Sequence, residues 1–301
     1  YTVWSDVFVC PECTGEVIFW DAAVDKKAGK VQDEFSCPTC QSLLAKRNLD
    51  RAWVTKYDSA LKTSIKQAKQ VPVLINYSAD GKRFQKVPDE EDLALIDKIE
   101  GSEIPYWFPI DSLPDGFNTR QPKMSHGITH VHRFYTKRNL HVLSALWAAY
   151  EKNPKGRLML TSVLIKTASL LHNIGLRDGK INLAGALPNV LYIPSNLAER
   201  NLFLLIDGKI NDFIRANLEC IKDRQIVALG SLSAPYISSS ATRKVDYIFI
   251  DPPFGSNLHY SELNFLWEAW LSILTNNEHE AIENPVQKKG LTEYRELMTE
   301  A

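Results

Sequence analysis

The spacing of apolar positions predicts short strands near the start of this chain, amphipathic helices through its middle and one wholly apolar strand near its end. Glu16–Trp20 and Val31–Phe35 read as two short strands around a polar turn at Asp25–Lys30. Pro88–Glu100 predicts a helix led by Asp89, with Leu93, Ile96 and Ile99 on one face. Thr136–Lys152 predicts a helix capped by Thr136, its buried stripe formed by Leu140, Leu143, Trp147 and Tyr150. Arg157–Ile174 reads as a second apolar helix carrying His172 as a core or boundary residue, and Ser195–Ile221 as a third, broken near Asp207-Gly208. Gln225–Gly230 is a short strand candidate, and Ser261–Leu274 a helix that ends before Asn276-Asn277. Between these elements Gly101–Gly127 reads as a loop whose rings, in Pro105-Tyr106-Trp107-Phe108-Pro109, dock onto the core.

The apolar strand, Val245-Asp-Tyr-Ile-Phe-Ile250, runs straight into Asp251-Pro252-Pro253-Phe254. Continuous apolarity predicts a strand buried on both faces of an α/β sheet. The two prolines end it, since neither donates to a ladder and each fixes φ near −65°. Open α/β sheets place ligands at the carboxyl ends of such strands. The tip thus presents a carboxylate, a stiff backbone carbonyl and an aromatic ring together, with Asn257, Tyr260 and an aromatic helix behind. An ordinary turn opened by Asp-Pro is the plainer reading of the same residues.

Cys10-Pro-Glu-Cys13 and Cys37-Pro-Thr-Cys40 form two Cys-x-x-Cys knuckles 23 residues apart. Four thiolates so spaced suit tetrahedral Zn²⁺ in a zinc ribbon, with a structural role. Thioredoxin-like chemistry calls for one such pair beside a βαβ unit, and disulfides call for an oxidising compartment. The fifth cysteine, Cys220, sits in an apolar helical stretch as a small hydrophobe.

Composition adds bounds. The 301 residues, 45% hydrophobic and 24% charged, describe an ordinary soluble protein with room for two domains. No apolar run reaches the length of a membrane span and no signal peptide is evident; the cysteine pattern makes a reducing cytoplasm the expected setting. Formal net charge is −1, so any nucleic-acid partner has to be argued from local patches. Ala45–Gln70 carries seven Lys/Arg against Asp50 and Asp58. Arg120–Arg138 carries Arg120, Lys123, Arg133, Lys137 and Arg138 with no acid, bordered by Phe134 and Tyr135. Both stretches suit phosphates, although a solvated basic face is the plain alternative. His126, His130 and His132 lack a carboxylate or cysteine nearby in sequence and do not read as a metal site.

The Asp-Pro-Pro-Phe tip resembles the Asp/Asn-Pro-Pro-Tyr/Phe motif of S-adenosylmethionine-dependent amino-methyltransferases that modify nucleobase nitrogens. More broadly, Tyr1–Cys13 with the second knuckle, Gln67–Tyr77, Gly127–Trp147 and Val245–Leu271 resemble a family of large bacterial and archaeal site-specific DNA methyltransferases, over nearly the whole chain. Thr14 and Gln41 stand where the common knuckle of that family has glycine.

The resemblance implies a function. Asp251, Pro252, Pro253 and Phe254 would be the catalytic tip, with the Asp251 carboxylate and Pro252 carbonyl accepting from an exocyclic amine and Phe254 stacking on a base swung out of the duplex. The cofactor would be S-adenosylmethionine, and Asp at the first motif position points to adenine N6 ahead of cytosine N4. The cofactor's glycine loop is missing from the sequence. Gly175…Gly179…Gly185 follows a helix, so the expectation is a fragment whose loop lies upstream. DNA is the expected partner, gripped through Arg133, Lys137, Arg138 and Tyr260, with no membrane partner.

The expected fold is therefore α/β, a partial Rossmann-like, doubly wound methyltransferase core interrupted by a zinc ribbon and a helical segment. Its predicted divisions are a ribbon over 1–50, a largely helical insertion contacting DNA over 51–185, and part of the core with the tip over 186–301. An RNA base amino-methyltransferase and a zinc-ribbon DNA-binding module without turnover are the other two readings.

Overall fold

The computed structural model describes residues 1–177, 180–220, 246, 247, 249, 251, 252 and 254–300; of Arg177 and residues 217–220 it describes the backbone alone. Helices pack with a mostly antiparallel sheet. The sheet is organised by β1 (Thr2–Val9), whose Val, Trp and Phe side chains suit a pleated, buried surface. Its first half pairs antiparallel with β10 (Gln70–Ala79) and β14 (Asn196–Glu199). Its second half, Val7–Val9, pairs with β2 (Glu16–Ile18) and β7 (Asp50–Arg51). One strand thus begins in the main sheet and ends in the cysteine-bearing ribbon.

The sheet runs outward from β10 to β11 (Lys82–Lys86), and from β14 to the hairpin of β12 (Asn173–Arg177) and β13 (Lys180–Gly185). Every described ladder is antiparallel, and the strands come from all three predicted divisions. Separate two-stranded ribbons are formed by β3 (Val24–Asp25) with β4 (Lys30–Val31), β5 (Glu34–Ser36) with β6 (Leu43–Ala45), and β8 (Trp53–Asp58) with β9 (Thr63–Ala68).

Two predicted helices form where their caps place them. α2 (Glu90–Glu100) opens with a reciprocal capping box between Asp89 and Asp92. α4 (Lys137–Ala149) is capped by Thr136, whose hydroxyl accepts from the Asn139 N–H. Leu140, Leu143 and Trp147 of α4 enter the main core with Val131, Phe134, Leu160, Leu164, Leu171, Leu266 and Trp270. The rings of Trp107, Trp147 and Tyr135 surround Trp270 at centroid distances of 5.2–6.0 Å, so the aromatic loop does dock.

Other predicted elements are corrected. Phe19 and Trp20 leave the expected strand and start the short helix α1 (Phe19–Ala23), which buries both rings. Gly101–Gly127 contains α3 (Phe117–His126), closed by Gly127 in the left-handed conformation at φ 67°. Arg157–Ile174 is not one helix. It breaks into α5 (Pro154–Thr161), α6 (Leu164–Thr167) and a 3₁₀ turn over Ser169–Leu171 before β12 begins, so apolar content there does not mark one continuous helix. Ser195–Ile221 begins as strand β14, and α7 (Leu202–Cys220) then runs through Gly208 unbroken. Ser261–Leu274 is two short helices, α8 (Tyr260–Leu263) and α9 (Phe265–Leu271), the second stopped by Ser272 at φ 55°. Gln225–Gly230, the Cys220 side chain and half of Val245–Ile250 lie outside the described residues. Of that last stretch Asp246, Tyr247 and Phe249 belong to no strand, and Tyr247 and Phe249 are 81% and 79% exposed, in place of the burial expected of a central strand.

Where β1 changes sheets, the fully buried Asp6 carboxylate gathers three donors. Arg51 Nε and Gln70 Nε2 reach it at 2.8 and 2.9 Å, and the His126 ring lies 3.2 Å away. Burial opposes the charge, but the bonds from His126, Arg51 and Gln70 outweigh it and hold the carboxyl below its usual range. Burial likewise depresses His126, His132 and His172 from their ordinary value near 6.5. Such rings stay neutral in the fold while the unfolded chain takes up protons below about pH 6.5, so the folded state loses ground as pH falls through that window. The urea midpoint is therefore expected to fall between pH 7 and pH 5; a midpoint that rises on acidification would contradict burial of these rings as neutral groups.

Candidate metal centre and the Asp-Pro-Pro-Phe turn

The two knuckles have the same backbone design, 27 residues apart. Cys10 and Cys37 each accept from the fourth residue on, Thr14 and Gln41, at 2.9 and 3.0 Å. Each also donates to the fifth, Gly15 and Ser42, at 2.9 Å. Such a turn needs a left-handed residue after the second cysteine. Thr14 and Gln41 supply it at φ 58° and 64°, where glycine is the unstrained choice. The side chain of Thr14 adds a bond to the Cys13 carbonyl at 2.7 Å.

These turns bring Cys10, Cys13, Cys37 and Cys40 together, with all four Sγ atoms within 4.8 Å of one another. Cys10–Cys40 and Cys13–Cys37 stand at 3.7 Å. A tetrahedron with metal–sulfur bonds of about 2.3 Å has edges of about 3.8 Å. The set therefore fits tetrahedral thiolate coordination, and an ion such as zinc can be held there. The Cys13 backbone N–H chiefly, with the Ser42 hydroxyl and the Glu12 N–H, brings the Cys10 thiol down to about 6. The Ser42 hydroxyl and N–H lower Cys40 as well. Donors aimed at sulfur favour the thiolate that binds metal. Behind the cysteines lies a separate small core of Phe8, Val17, Phe19, Phe35 and Leu44, in which Phe19 meets Phe8 and Phe35 edge-on.

The second predicted site lies beyond the main core. Asp251 is exposed, Phe254 is 67% exposed, and Pro253 lies outside the described residues. The carbonyl of Phe254 accepts from the Asn257 N–H at 3.0 Å, turning the chain back immediately after the tip. Gly255 follows at φ 51°, its carbonyl bonded to the Glu283 N–H at 3.1 Å. The Asp251 carboxylate has no hydrogen-bond or ion-pair partner among the described residues, so its acceptor oxygens are available to a ligand.

A buried polar frame holds the segment after the tip. Glu262, on α8, accepts from the Asn118 N–H at the start of α3 at 2.7 Å and from Asn284 Nδ2 at 2.8 Å. A carboxylate at a helix N-terminus meets unpaired N–H groups and the positive end of the dipole. Gly116 makes the approach feasible, because a Cβ there would stand 2.2 Å from the Glu262 carboxyl. Asn118 Nδ2 also donates to His259 Nδ1 at 3.3 Å, which leaves His259 Nε2–H to donate to the Glu283 carbonyl at 3.3 Å. The paired roles of Asn118, Glu262 and Asn284 had no sequence signal, since the partners lie up to 144 residues apart.

The residues expected to grip DNA are placed differently from one another. Arg133 is buried, its Nη1 bonded to the Gly127 carbonyl at 2.7 Å and its Nη2 to Gln67 Oε1 at 3.1 Å. Arg138 makes a two-point ion pair with the buried Glu199, which also accepts from Trp4 Nε1 and Thr136. Lys137 bonds the Glu100 carbonyl at 2.7 Å, and Tyr260 is exposed. The histidines, set aside as metal ligands, do have carboxylate partners in space: His126 with Asp6 and His132 with Asp58.

Two cavities adjoin these groups. One of about 650 Å³ lies among β8, β9, α2 and the start of α4, with Asp58, His132, Arg133 and Lys137 in its walls. Another of about 600 Å³ is lined by Phe117, Gln121, Met124, Leu187 and Tyr192 beside α3. Neither has Asp251, Pro252 or Phe254 in its walls, so as they stand these cavities give S-adenosylmethionine no seat at the tip.

No family model matches this chain, and neither a curated protein nor a solved structure is found to be similar to it. No described helix is long and apolar enough to cross a membrane.

Removing bound metal, or replacing Cys37 with Ser, is expected to expose backbone amides of residues 1–50 to hydrogen exchange well before those of the 131–171 core, because metal-binding energy is local folding energy. Unchanged protection after verified loss of metal would sink the coordination assignment. Gln41→Gly relieves a left-handed side chain and is expected to raise stability by about 1 kcal/mol, read as an upward shift in the urea midpoint.

Proposed function

We propose that the chain is the catalytic part of a DNA amino-methyltransferase that uses S-adenosylmethionine and acts on adenine N6. The single observation carrying this reading is the Asp-Pro-Pro-Phe sequence itself, with an Asp251 carboxylate that has no partner among the described residues and an exposed Phe254 ring at its two ends. An exocyclic amine is a weak nucleophile because its lone pair is delocalised into the ring. Asp251 and the Pro252 carbonyl accept its two N–H bonds, which localises the lone pair toward the methyl group it attacks. Phe254 covers one face of the extruded base, and stacking offsets part of the cost of unstacking it. The protein's contribution is positioning and preorganised acceptors. S-adenosylmethionine supplies the electrophilic methyl when bound. The cysteine cluster takes structural zinc.

A second reading is a zinc-ribbon DNA-binding module without turnover, which the four-cysteine cluster fits equally well. Incubation with labelled S-adenosylmethionine and mixed DNA and RNA, then digestion to nucleosides and mass analysis, separates the two. N6-methyladenine in DNA is the expected product, and Asp251→Ala is expected to lower transfer at least about 100-fold while leaving the urea midpoint within about 0.5 kcal/mol, since the side chain is exposed. Methylguanine in RNA would replace the substrate. DNA binding without any methylated nucleoside would leave the module reading.

A further inference from the structure

The β8–β9 hairpin stands outside the main sheet, yet it is fastened at both ends. At its root the Lys66 carbonyl and the Trp53 ring lie against Gly127, where a Cβ would stand 2.4 Å from that carbonyl. Arg133 bridges Gln67 of the hairpin to the Gly127 carbonyl. At its tip Asp58 accepts from the Ala60 and Leu61 N–H groups, shaping the turn, and from His132 Nε2 at 2.9 Å. The side chains that pair across the ribbon alternate between its faces. Val54, Lys56, Asp58, Ile65 and Gln67 point to the cavity side. Trp53, Thr55, Tyr57, Ser64 and Lys66 share the other, Tyr57 also bordering the cavity's rim.

That outer face is aromatic and cationic. Tyr57 is 69% exposed and Trp53 38%, although a core would readily take either ring. Lys66 lies opposite Thr55, between the two rings along the ribbon, with its ammonium 5.3 Å from the Trp53 ring centre. Lys62 stands at the turn with φ 54°, exposed. Lys62 and Lys66 form no ion pair among the described residues, whereas Asp58, the hairpin's carboxylate, is taken up by His132. Two rings with one unpaired cation between them and another at the turn match a polyanion that carries flat bases. A two-stranded ribbon is also narrow enough for the major groove of B-DNA, about 12 Å wide.

We propose that the β8–β9 ribbon is a DNA-docking element, in which Lys62 and Lys66 meet phosphates and Tyr57 and Trp53 pack on sugars and bases. It rests on the DNA reading above and supplies that reading with a contact surface that the buried Arg133 and the Glu199-bound Arg138 do not offer. The rigid fastening lowers the ordering cost of binding.

The test is fluorescence anisotropy of a labelled 30-base-pair DNA duplex titrated with the full chain at several salt concentrations. Each phosphate contact adds about 0.9 to the slope of log affinity against log salt, so Lys62→Gln with Lys66→Gln is expected to flatten that slope by about 2. Tyr57→Ala is expected to weaken binding at least about fivefold with the slope retained, and Tyr57→Phe to restore it. Urea midpoints close to wild type serve as the folding control. If the wild-type chain binds DNA and the double lysine variant keeps the full slope, the ribbon assignment is overturned and the DNA reading stands. If the wild-type chain binds no DNA, both fall. A preference for RNA duplex over DNA overturns the choice of partner.

Discussion

A carboxylate shut away from solvent governs how the two halves of this chain meet. Asp6 sits where β1 leaves the main sheet for the ribbon, and its oxygens are held by groups from β7, β10 and α3. Burying a charge costs several kcal/mol, and the cost is met only if every acceptor position finds a donor. Arg51, Gln70 and His126 have to arrive together. The carboxylate thus works as a register pin. A slip of β1 by one residue would turn Asp6 outward and leave a guanidinium and an imidazole buried without their partner.

What the sequence disclosed were features with a local cause. The Asp89 and Thr136 caps mark helix starts because a short side chain satisfies orphan N–H groups within three residues. The cysteine pairs bring their ligands together because each knuckle fixes its own turn, even with Thr14 and Gln41 in strained positions. The failures came where burial is complete. In Thr167–His172 and Asn196–Glu199 every side is covered, so the apolar pattern carries no period to separate strand from helix. β1 was missed for a related reason: its Ser5 and Asp6 look like surface residues and are both wholly buried.

Charge was legible as quantity and not as availability. The acid-free run from Arg120 to Arg138 looks like a phosphate grip, yet Arg133 is spent on Gly127 and Gln67, and Arg138 on Glu199. Gln67 and Glu199 come from 60 or so residues away, and only the fold introduces them. In the earlier basic stretch the hairpin geometry keeps Lys62 and Lys66 unpaired and lines up Trp53 and Tyr57 beside them. The sorting was done by pairing register, which no charge count contains.

α3 connects these observations. Its first turn receives Glu262 from the segment behind the Asp-Pro-Pro-Phe turn, and its last residue hands over to Gly127, against which the β8–β9 ribbon is seated. The helix is pinned on the way by Gln121, bonded in both directions to Ile193, and by Lys123, which donates to the carbonyls of Leu113 and Pro114. At 1.5 Å per residue its ten residues span about 15 Å. A rigid strut of that length sets the spacing between the frame behind the tip and the ribbon's root. If the ribbon docks a duplex and the tip receives one base from it, this spacing decides which base is presented. The helix then acts as a ruler between docking and chemistry. The small residues at its two ends, Gly116 and Gly127, are required because each leaves room for the partner that fixes that end.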